Sequence, residues 1–190
     1  MSGDTFADTW GRSELIRVPV DLLTAVELRD SDAEFLALIG LPAGAEIPGL
    51  TDQIKPLPYV PVPGPAESVT GGRSILSLYP ASSLRLLAYV DYRPFFGIQS
   101  YVSIRPKDGA IWLVDQKNPS GLILNSSLHQ WVESLLAARE FLRIAPAEFE
   151  RNTNRHIQNL KGELKRIDNA AFGTRGSCWA VWVQELKNLC

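Results

Sequence analysis

The sequence predicts an α+β fold in which an antiparallel or mixed sheet of about five to six strands packs against helices. In the middle of the chain, apolar residues alternate with polar ones, as they do in strands that bury one face. In the last third, apolar residues recur every three or four positions, as they do on amphipathic helices. A run of strands followed by a run of helices indicates the α+β class.

Length and composition indicate one ordinary globular domain. The chain has 190 residues, of which 45% are hydrophobic and 21% are charged, and this balance excludes wholesale disorder. We predict a single domain over residues 1–190. The 19 basic and 21 acidic side chains give a net charge of −2. Because nucleic-acid-binding proteins usually carry a basic excess, we expect no direct nucleic-acid partner.

A first short helix is predicted over residues 31–39. Ser31 and Glu34 match an S-x-x-E capping box, whose hydroxyl and carboxylate can hydrogen-bond the free amides of the first turn. Gly40 then allows the left-handed turn that ends such a helix. Upstream, residues 22–28 are compatible with another short helix.

A proline-rich connection within the domain is predicted over residues 43–72. Proline lacks the amide donor that a strand ladder needs, so we expect no regular ladder in this stretch. Residues 56–65 are typical of extended, polyproline-like chain. We interpret them as a surface connection, and a docking motif for a proline-reading domain is the alternative.

The centre of the chain is predicted to form strands. Residues 98–114 alternate in polarity around the turn sequence that runs from Pro106 to Gly109, which predicts a β-hairpin. Proline fixes φ at such a turn, and aspartate and glycine accept its tight backbone. Further strands are predicted at 74–79, 84–90 and 121–124.

Helices are predicted after residue 125. Ser127 and Gln130 match a second capping box, which begins a helix that continues to Leu142. We expect Trp179 and Trp182, at helical spacing in the last helix, to be core anchors rather than a ligand cage. Between these two helices, a third is predicted from the apolar stripe Ile157, Leu160, Leu164 and Ile167.

No catalytic or metal-binding motif is evident. His129 and His156 lack the spacing of zinc motifs, and we expect His156 to be a solvated surface side chain. Cys178 and Cys190 are predicted to be reduced thiols, with a disulfide between them as the alternative. Neither a nucleophile elbow nor a phosphate-binding loop is present. We therefore predict no catalytic residue, no cofactor and no metal ion.

The sequence offers no membrane or secretion signal. No apolar run approaches the roughly 18 residues that a membrane-spanning helix requires. Residues 1–10 are polar and acidic, unlike the basic and apolar regions of a signal peptide. We therefore expect a cytoplasmic protein with no membrane partner.

Landmarks along most of the chain resemble the SUKH superfamily of proteins, and in particular its fourth group. They include that superfamily's helix entry, its hairpin and its closing segment, in the same order. The landmarks are 35–42, 101–115, Asn125 to Leu128 followed by Trp131, and Ile167-Asp168 followed by Trp179 and Glu185-Leu186.

The resemblance implies a SUKH-like fold and an immunity protein. Such a protein stays in the bacterial cytosol and neutralises a secreted toxin, often a nuclease or a deaminase, by stoichiometric binding. It would not be an enzyme, and its partner would be the cognate toxin domain. A regulatory scaffold of the same fold is the alternative, followed by a small enzyme that uses Cys178 or His156.

A contact site for the partner is predicted from aromatic and charged residues. Aromatic and arginine side chains in one predicted loop are typical anchors of protein interfaces, although the same aromatics could instead turn inward. Carboxylates at the ends of the hairpin could attract a basic toxin surface. The candidate partner-binding residues are Tyr92, Arg93, Phe95, Phe96, Asp108 and Asp115.

Overall fold

The structure, a computed structural model, confirms the predicted α+β class, with helices toward both ends of the chain and strands between them. It describes residues 2–24, 28–42, 45–47, 51–56, 85–92, 98–115, 122–174 and 176–188. The helices are α1 (Gly3–Trp10), α2 (Val20–Thr24), α3 (Asp30–Leu38), α4 (Leu128–Leu142), α5 (Pro146–Ile167), α6 (Asn169–Gly173) and α7 (Cys178–Asn188). The strands are β1 (Leu15–Ile16), β2 (Leu41–Pro42), β3 (Ala45–Ile47), β4 (Thr51–Pro56), β5 (Arg85–Tyr92), β6 (Ile98–Ile104), β7 (Ile111–Asp115) and β8 (Leu122–Asn125).

The strands pair in two antiparallel groups. β1 pairs with β2 in a small sheet, and β3 to β8 follow one another in chain order in the second sheet. The hairpin predicted over 98–114 is confirmed, with Ile104 opposite Ile111. Its turn includes Gly109 at a φ of 72°, a conformation that glycine adopts without strain.

The hydrophobic core lies between the second sheet and helices α4, α5 and α7. The sheet contributes Ile104 and Ile111, and both are fully buried. The predicted stripe of α5 is confirmed, because all of its members from Ile157 to Ile167 are buried. The predicted burial of Trp179 and Trp182 is also confirmed, and their rings meet edge to face at 5.8 Å.

Helix α1 was not predicted from the sequence, yet it is part of the core. Ser2 begins it by accepting a hydrogen bond from the backbone N–H of Thr5 at 3.2 Å. Phe6 and Trp10 lie four residues apart on one face and are buried. The guanidinium of Arg139 in α4 lies 4.4 Å from the centre of the Trp10 ring, which joins the start of the chain to its last third.

The predicted start of α3 is wrong. The helix begins at Asp30 with Arg29 as its N-cap, and no side chain caps its first turn, so the box of Ser31 and Glu34 does not form. Instead, Arg29 donates two hydrogen bonds to the carboxylate of Asp32, at 2.7 and 3.0 Å. This charged pair orders the helix start and leaves Ser31 exposed.

Two further expectations need correction. The helix expected at 22–28 is α2, which ends at Thr24, and residues 25–27 lie outside the described part. The expected absence of a ladder in 43–72 is wrong for its first part, because β3 and β4 form there. Pro56 fits because it is the last residue of β4, where a missing amide is tolerated. Residues 57–72 and the strand predicted at 74–79 lie outside the described residues.

We predict that Arg139→Met lowers the free energy of unfolding by about 2 kcal/mol. Methionine keeps the apolar stem, but it removes the contact with the Trp10 ring, the hydrogen bond to the Trp10 carbonyl and the ion pair with Glu14. Urea denaturation followed by tryptophan fluorescence measures the change. Arg143→Met is the matched control, because Arg143 is exposed, and equal stability of the two variants would contradict the prediction.

Candidate functional site

A buried polar network joins strand β8 to the helices that follow it. We use the name polar network for Asn125, Ser126, Ser134, Asp168 and Trp179. Asn125 and Asp168 are 0% and 3% exposed, and they lie 43 residues apart in the chain. The landmarks of the SUKH resemblance around residues 125, 168 and 179 therefore meet at one place.

The carboxylate of Asp168 is saturated with hydrogen bonds. Its Oδ1 accepts from the hydroxyl of Ser126 at 3.1 Å and from the backbone N–H of Ala171 at 3.0 Å. Its Oδ2 accepts from the backbone N–H of Ser126 at 2.6 Å and from the amide of Asn125 at 3.4 Å. Asp168 can do this because it stands between α5 and α6 and caps the first turn of α6.

The amide of Asn125 is satisfied at both ends. Its Oδ1 accepts from the indole N–H of Trp179 at 3.0 Å, and its Nδ2 also donates to the hydroxyl of Ser134 at 3.1 Å. An unpaired buried amide costs about 1–3 kcal/mol, so these partners specify how β8, α4 and α7 pack together.

The N-cap of the predicted capping box at the start of α4 is confirmed, whereas Oε1 of Gln130 accepts from the Ser127 hydroxyl at 2.9 Å in place of the Ser127 backbone N–H. The hydroxyl of Ser127 accepts from the backbone N–H of Gln130 at 3.2 Å. The side-chain amide of Gln130 reaches the carbonyl of Ile167 at 3.0 Å. The start of α4 is therefore tied directly to the end of α5.

The polar network holds the fold together and is not arranged for catalysis. A general base needs a free lone pair within reach of its substrate, whereas each Asp168 oxygen already accepts two hydrogen bonds inside the protein. Within the described ranges, no group of three His, Cys, Asp or Glu side chains could hold a metal ion.

A second charged cluster lies where α3 meets the turn of the hairpin. We call Arg29, Asp32, Arg105 and Asp108 the turn cluster. Arg105 donates to both carboxylate oxygens of Asp108, at 2.8 and 2.5 Å. The guanidinium of Arg29 lies against Gly109, and a side chain at that glycine would collide with it. The cluster therefore consists of two bidentate ion pairs side by side.

Arg105 controls the ionisation of Asp108. Its hydrogen bonds lower the pKa of the Asp108 carboxyl, and partial burial acts in the opposite direction. The backbone N–H of Ala110 and the positive charges of Arg105 and Arg29 also lower that pKa. Arg105 in turn lies 5.2 Å from the centre of the Trp112 ring, whose indole N–H is buried and has no hydrogen-bond partner among the described residues.

The partner-binding residues predicted from the sequence do not lie at one place in the structure. Tyr92 ends β5 opposite Ile98, and Asp115 ends β7 opposite Ser100, so these two positions flank the same end of β6. Asp108 lies beyond the other end of β7, which is five residues or about 17 Å long. The remaining predicted residues, Arg93, Phe95 and Phe96, lie outside the described part of the chain.

The titratable residues considered for an enzyme differ in their surroundings. His156 is not the solvated side chain that we expected, because its side chain is 18% exposed and its ring stacks on Phe149. Its Nε2 is 3.5 Å from the carboxylate of Glu148. Cys178 is buried and in no disulfide within the described residues, and Cys190 lies outside them.

Comparison with known proteins identifies one family. A family model described as SUKH-4 immunity protein matches residues 1–185, which confirms the resemblance to the fourth SUKH group. No curated protein and no solved structure matches the chain. None of the helices in the described part is long and apolar enough to cross a membrane.

We predict that Asp168→Asn destabilises the protein by at least about 2 kcal/mol. Asparagine offers one acceptor oxygen where the carboxylate offers two, and its NH₂ group would face N–H donors of Ser126 or Ala171. Urea denaturation measures the loss. Asp30→Asn makes the same chemical change at an exposed position, and a similar small effect of both variants would contradict a structural role for Asp168.

We also predict that Arg105→Gln raises the pKa of Asp108 toward its usual value. In the folded chain this pKa is below the unfolded value, so the pair stabilises the fold above the unfolded pKa and loses its effect as the pH falls through the folded one. NMR titration of the Asp108 side chain measures the shift. Lys107→Gln removes the same charge from a neighbouring exposed residue and should leave the Asp108 pKa unchanged.

Proposed function

We propose, from the fact that the chain belongs to the SUKH-4 immunity protein family, that it neutralises a secreted bacterial toxin by binding the toxic domain. The match over residues 1–185 is the observation that carries this proposal. The protein would act in the cytoplasm, one molecule for each toxin molecule, against a nuclease or a deaminase. The partner is a protein, with neither nucleic acid nor a membrane bound directly.

Binding without catalysis is supported by how the polar groups of the described residues are used. The lone pairs of the Asp168 carboxylate are occupied within the polar network. Both arginines of the turn cluster are paired with carboxylates. Groups paired in this way hold a surface in one shape, which lowers the entropy cost of binding a partner.

The proposed binding platform is one domain whose sheet of about five to six strands is backed by helices. An interface of standard size buries about 800 Å² on each partner, which corresponds to a patch roughly 30 Å across. The ends of strand β7 are only about 17 Å apart. One toxin domain is therefore large enough to contact Asp108 at one end and Tyr92 and Asp115 at the other.

The aromatic segment remains the proposed anchor at the second of these ends. Arg93, Phe95 and Phe96 come after Tyr92 in the sequence, and Tyr92 ends β5 at the same end of β6 at which Asp115 ends β7. Aromatic and arginine side chains are the most frequent energetic anchors of protein interfaces.

We predict that co-expression of this chain rescues cells from the toxic C-terminal domain of the large secreted protein encoded next to it. Growth of cells that express the toxic domain alone, and together with this chain, measures the protection. Purified together, the two proteins should form an equimolar complex by light scattering. A neighbour that is harmless alone, or equally lethal in the presence of this chain, would contradict the proposal.

We predict that protection does not depend on the residues considered for an enzyme. His156→Ala and Cys178→Ala should still protect cells when they are produced at wild-type levels, because binding needs no nucleophile or base. In contrast, the double variant Phe95→Ala and Phe96→Ala should bind the toxic domain at least about tenfold more weakly. Its melting temperature must match that of the wild type if the two rings act as interface anchors.

A further inference from the structure

We infer that the exposed face of α3, together with the neighbouring apolar side chains of β1 and α2, is the surface onto which a basic protein docks. We give the name α3 face to the surface formed by Asp30, Glu34 and Leu38 of α3 together with Ile16 of β1 and Val20 of α2. The inference rests on the proposed function, because it assigns a further place, beside Asp108 of the predicted contact residues, at which the toxic domain would bind.

Large apolar side chains are exposed at this place. Ile16 is 39%, Val20 is 66% and Leu38 is 57% exposed, and no other large hydrophobic side chain is comparably exposed where the structure describes side chains. Exposed apolar residues that stand alone are ordinary, but a group of them in one region indicates a contact surface.

The backbone brings these apolar residues together. β1 and β2 lie side by side with Ile16 opposite Leu41, and the N–H of Val18 donates to the carbonyl of Leu36 at 3.0 Å. Gly40 passes so close to the carbonyl of Ile16 that any side chain there would collide with it. The segments that carry Ile16 and Leu38 are therefore held next to each other, and Val20 is only four residues further along.

Carboxylates continue the same helix face. Asp30, Glu34 and Leu38 are four residues apart, so they follow one another along α3, and all three are exposed. Neither carboxylate takes part in the ion pairs of the chain that the structure describes. The α3 face begins beside the turn cluster, where the negative charge of Asp108 helps to raise the pKa of Arg29. It therefore runs from an acidic end to an apolar end.

The negative charge of this part of the chain favours a partner with a basic surface. The first 42 residues carry eight acidic side chains and only three basic ones, whereas the whole chain carries 21 and 19. Within the described side chains, Asp4, Asp8, Glu14 and Asp32 are paired with arginines. Asp30 and Glu34 of the α3 face are in none of these pairs and remain available to a partner, and the chain after residue 42 is slightly basic. A protein with a basic surface and an apolar anchor complements this arrangement, because complementary potentials accelerate encounter and apolar contacts slow dissociation.

The test measures binding of the purified, catalytically inactive toxic domain of the neighbouring gene to this chain, at low and high salt. Glu34→Lys should reduce the association rate at least tenfold at low salt and much less at high salt. Leu38→Lys should weaken the complex at least thirtyfold, while a cation at the C-terminal end of α3 remains compatible with the helix. Glu150→Lys and Ala147→Lys, at exposed positions of α5, are the matched controls and should bind within twofold of wild type.

The outcomes separate this inference from the proposed function. The inference is supported if Glu34→Lys and Leu38→Lys both bind the toxic domain weakly, while the two α5 controls bind normally and all melting temperatures are unchanged. If the wild type binds the toxic domain and both α3 variants bind equally well, the inference is overturned and the proposed function stands. If the wild type does not bind the toxic domain, both the inference and the proposed function are overturned. If the chain alone forms a dimer that Leu38→Lys dissociates, the face joins two copies of this chain, and the inference is again overturned.

Discussion

The fold depends on the pairing of one buried amide with one buried carboxylate. Asn125 lies at the end of strand β8, and Asp168 lies at the junction of α5 and α6. Both are buried, and each depends on hydrogen bonds to the residues around it to satisfy its polar atoms. Their hydrogen bonds connect β8 to α4, α6 and α7 at one point. Apolar packing tolerates small displacements, but a buried hydrogen bond does not, because an orphaned polar group costs about 1–3 kcal/mol. The network therefore gives the helical layer one register against the sheet.

This kind of construction suits the proposed binding function. Its polar groups are used inside the molecule to hold the backbone, and the groups that remain available are on its surface. In the turn cluster, Arg29 and Arg105 neutralise carboxylates, whereas Asp30 and Glu34 on the neighbouring helix face have no ion pair with the residues that the structure describes. Satisfied and unsatisfied charges thus lie within a few residues of each other, which is the basis of the inferred docking surface.

Local signals in the sequence were sufficient for the elements whose cause is local. The hairpin turn, the Ser127 N-cap of α4 and the apolar stripe of α5 each arise from neighbouring residues, and the structure confirms them. Helix α1 was missed although the Ser2 cap and the spacing of Phe6 and Trp10 are local signals for it, and the start of α3 was wrong because an arginine pair replaced a serine cap. The candidate site was predicted only in part. Asp108 was placed correctly in the turn, whereas the spacing of Asp30, Glu34 and Leu38 was available but was not interpreted as an exposed face.

The contact between Trp10 and Arg139 also constrains how the protein is made. The two residues are 129 positions apart, so a ribosome that adds 5–20 residues per second needs about 6 to 26 s to produce the second after the first. An isolated helix of eight residues is marginal in water, so α1 gains its stability from packing partners that are made later, first Phe35 of α3 and then Arg139 of α4. The full environment of Trp10 therefore forms only after α4 has been synthesised.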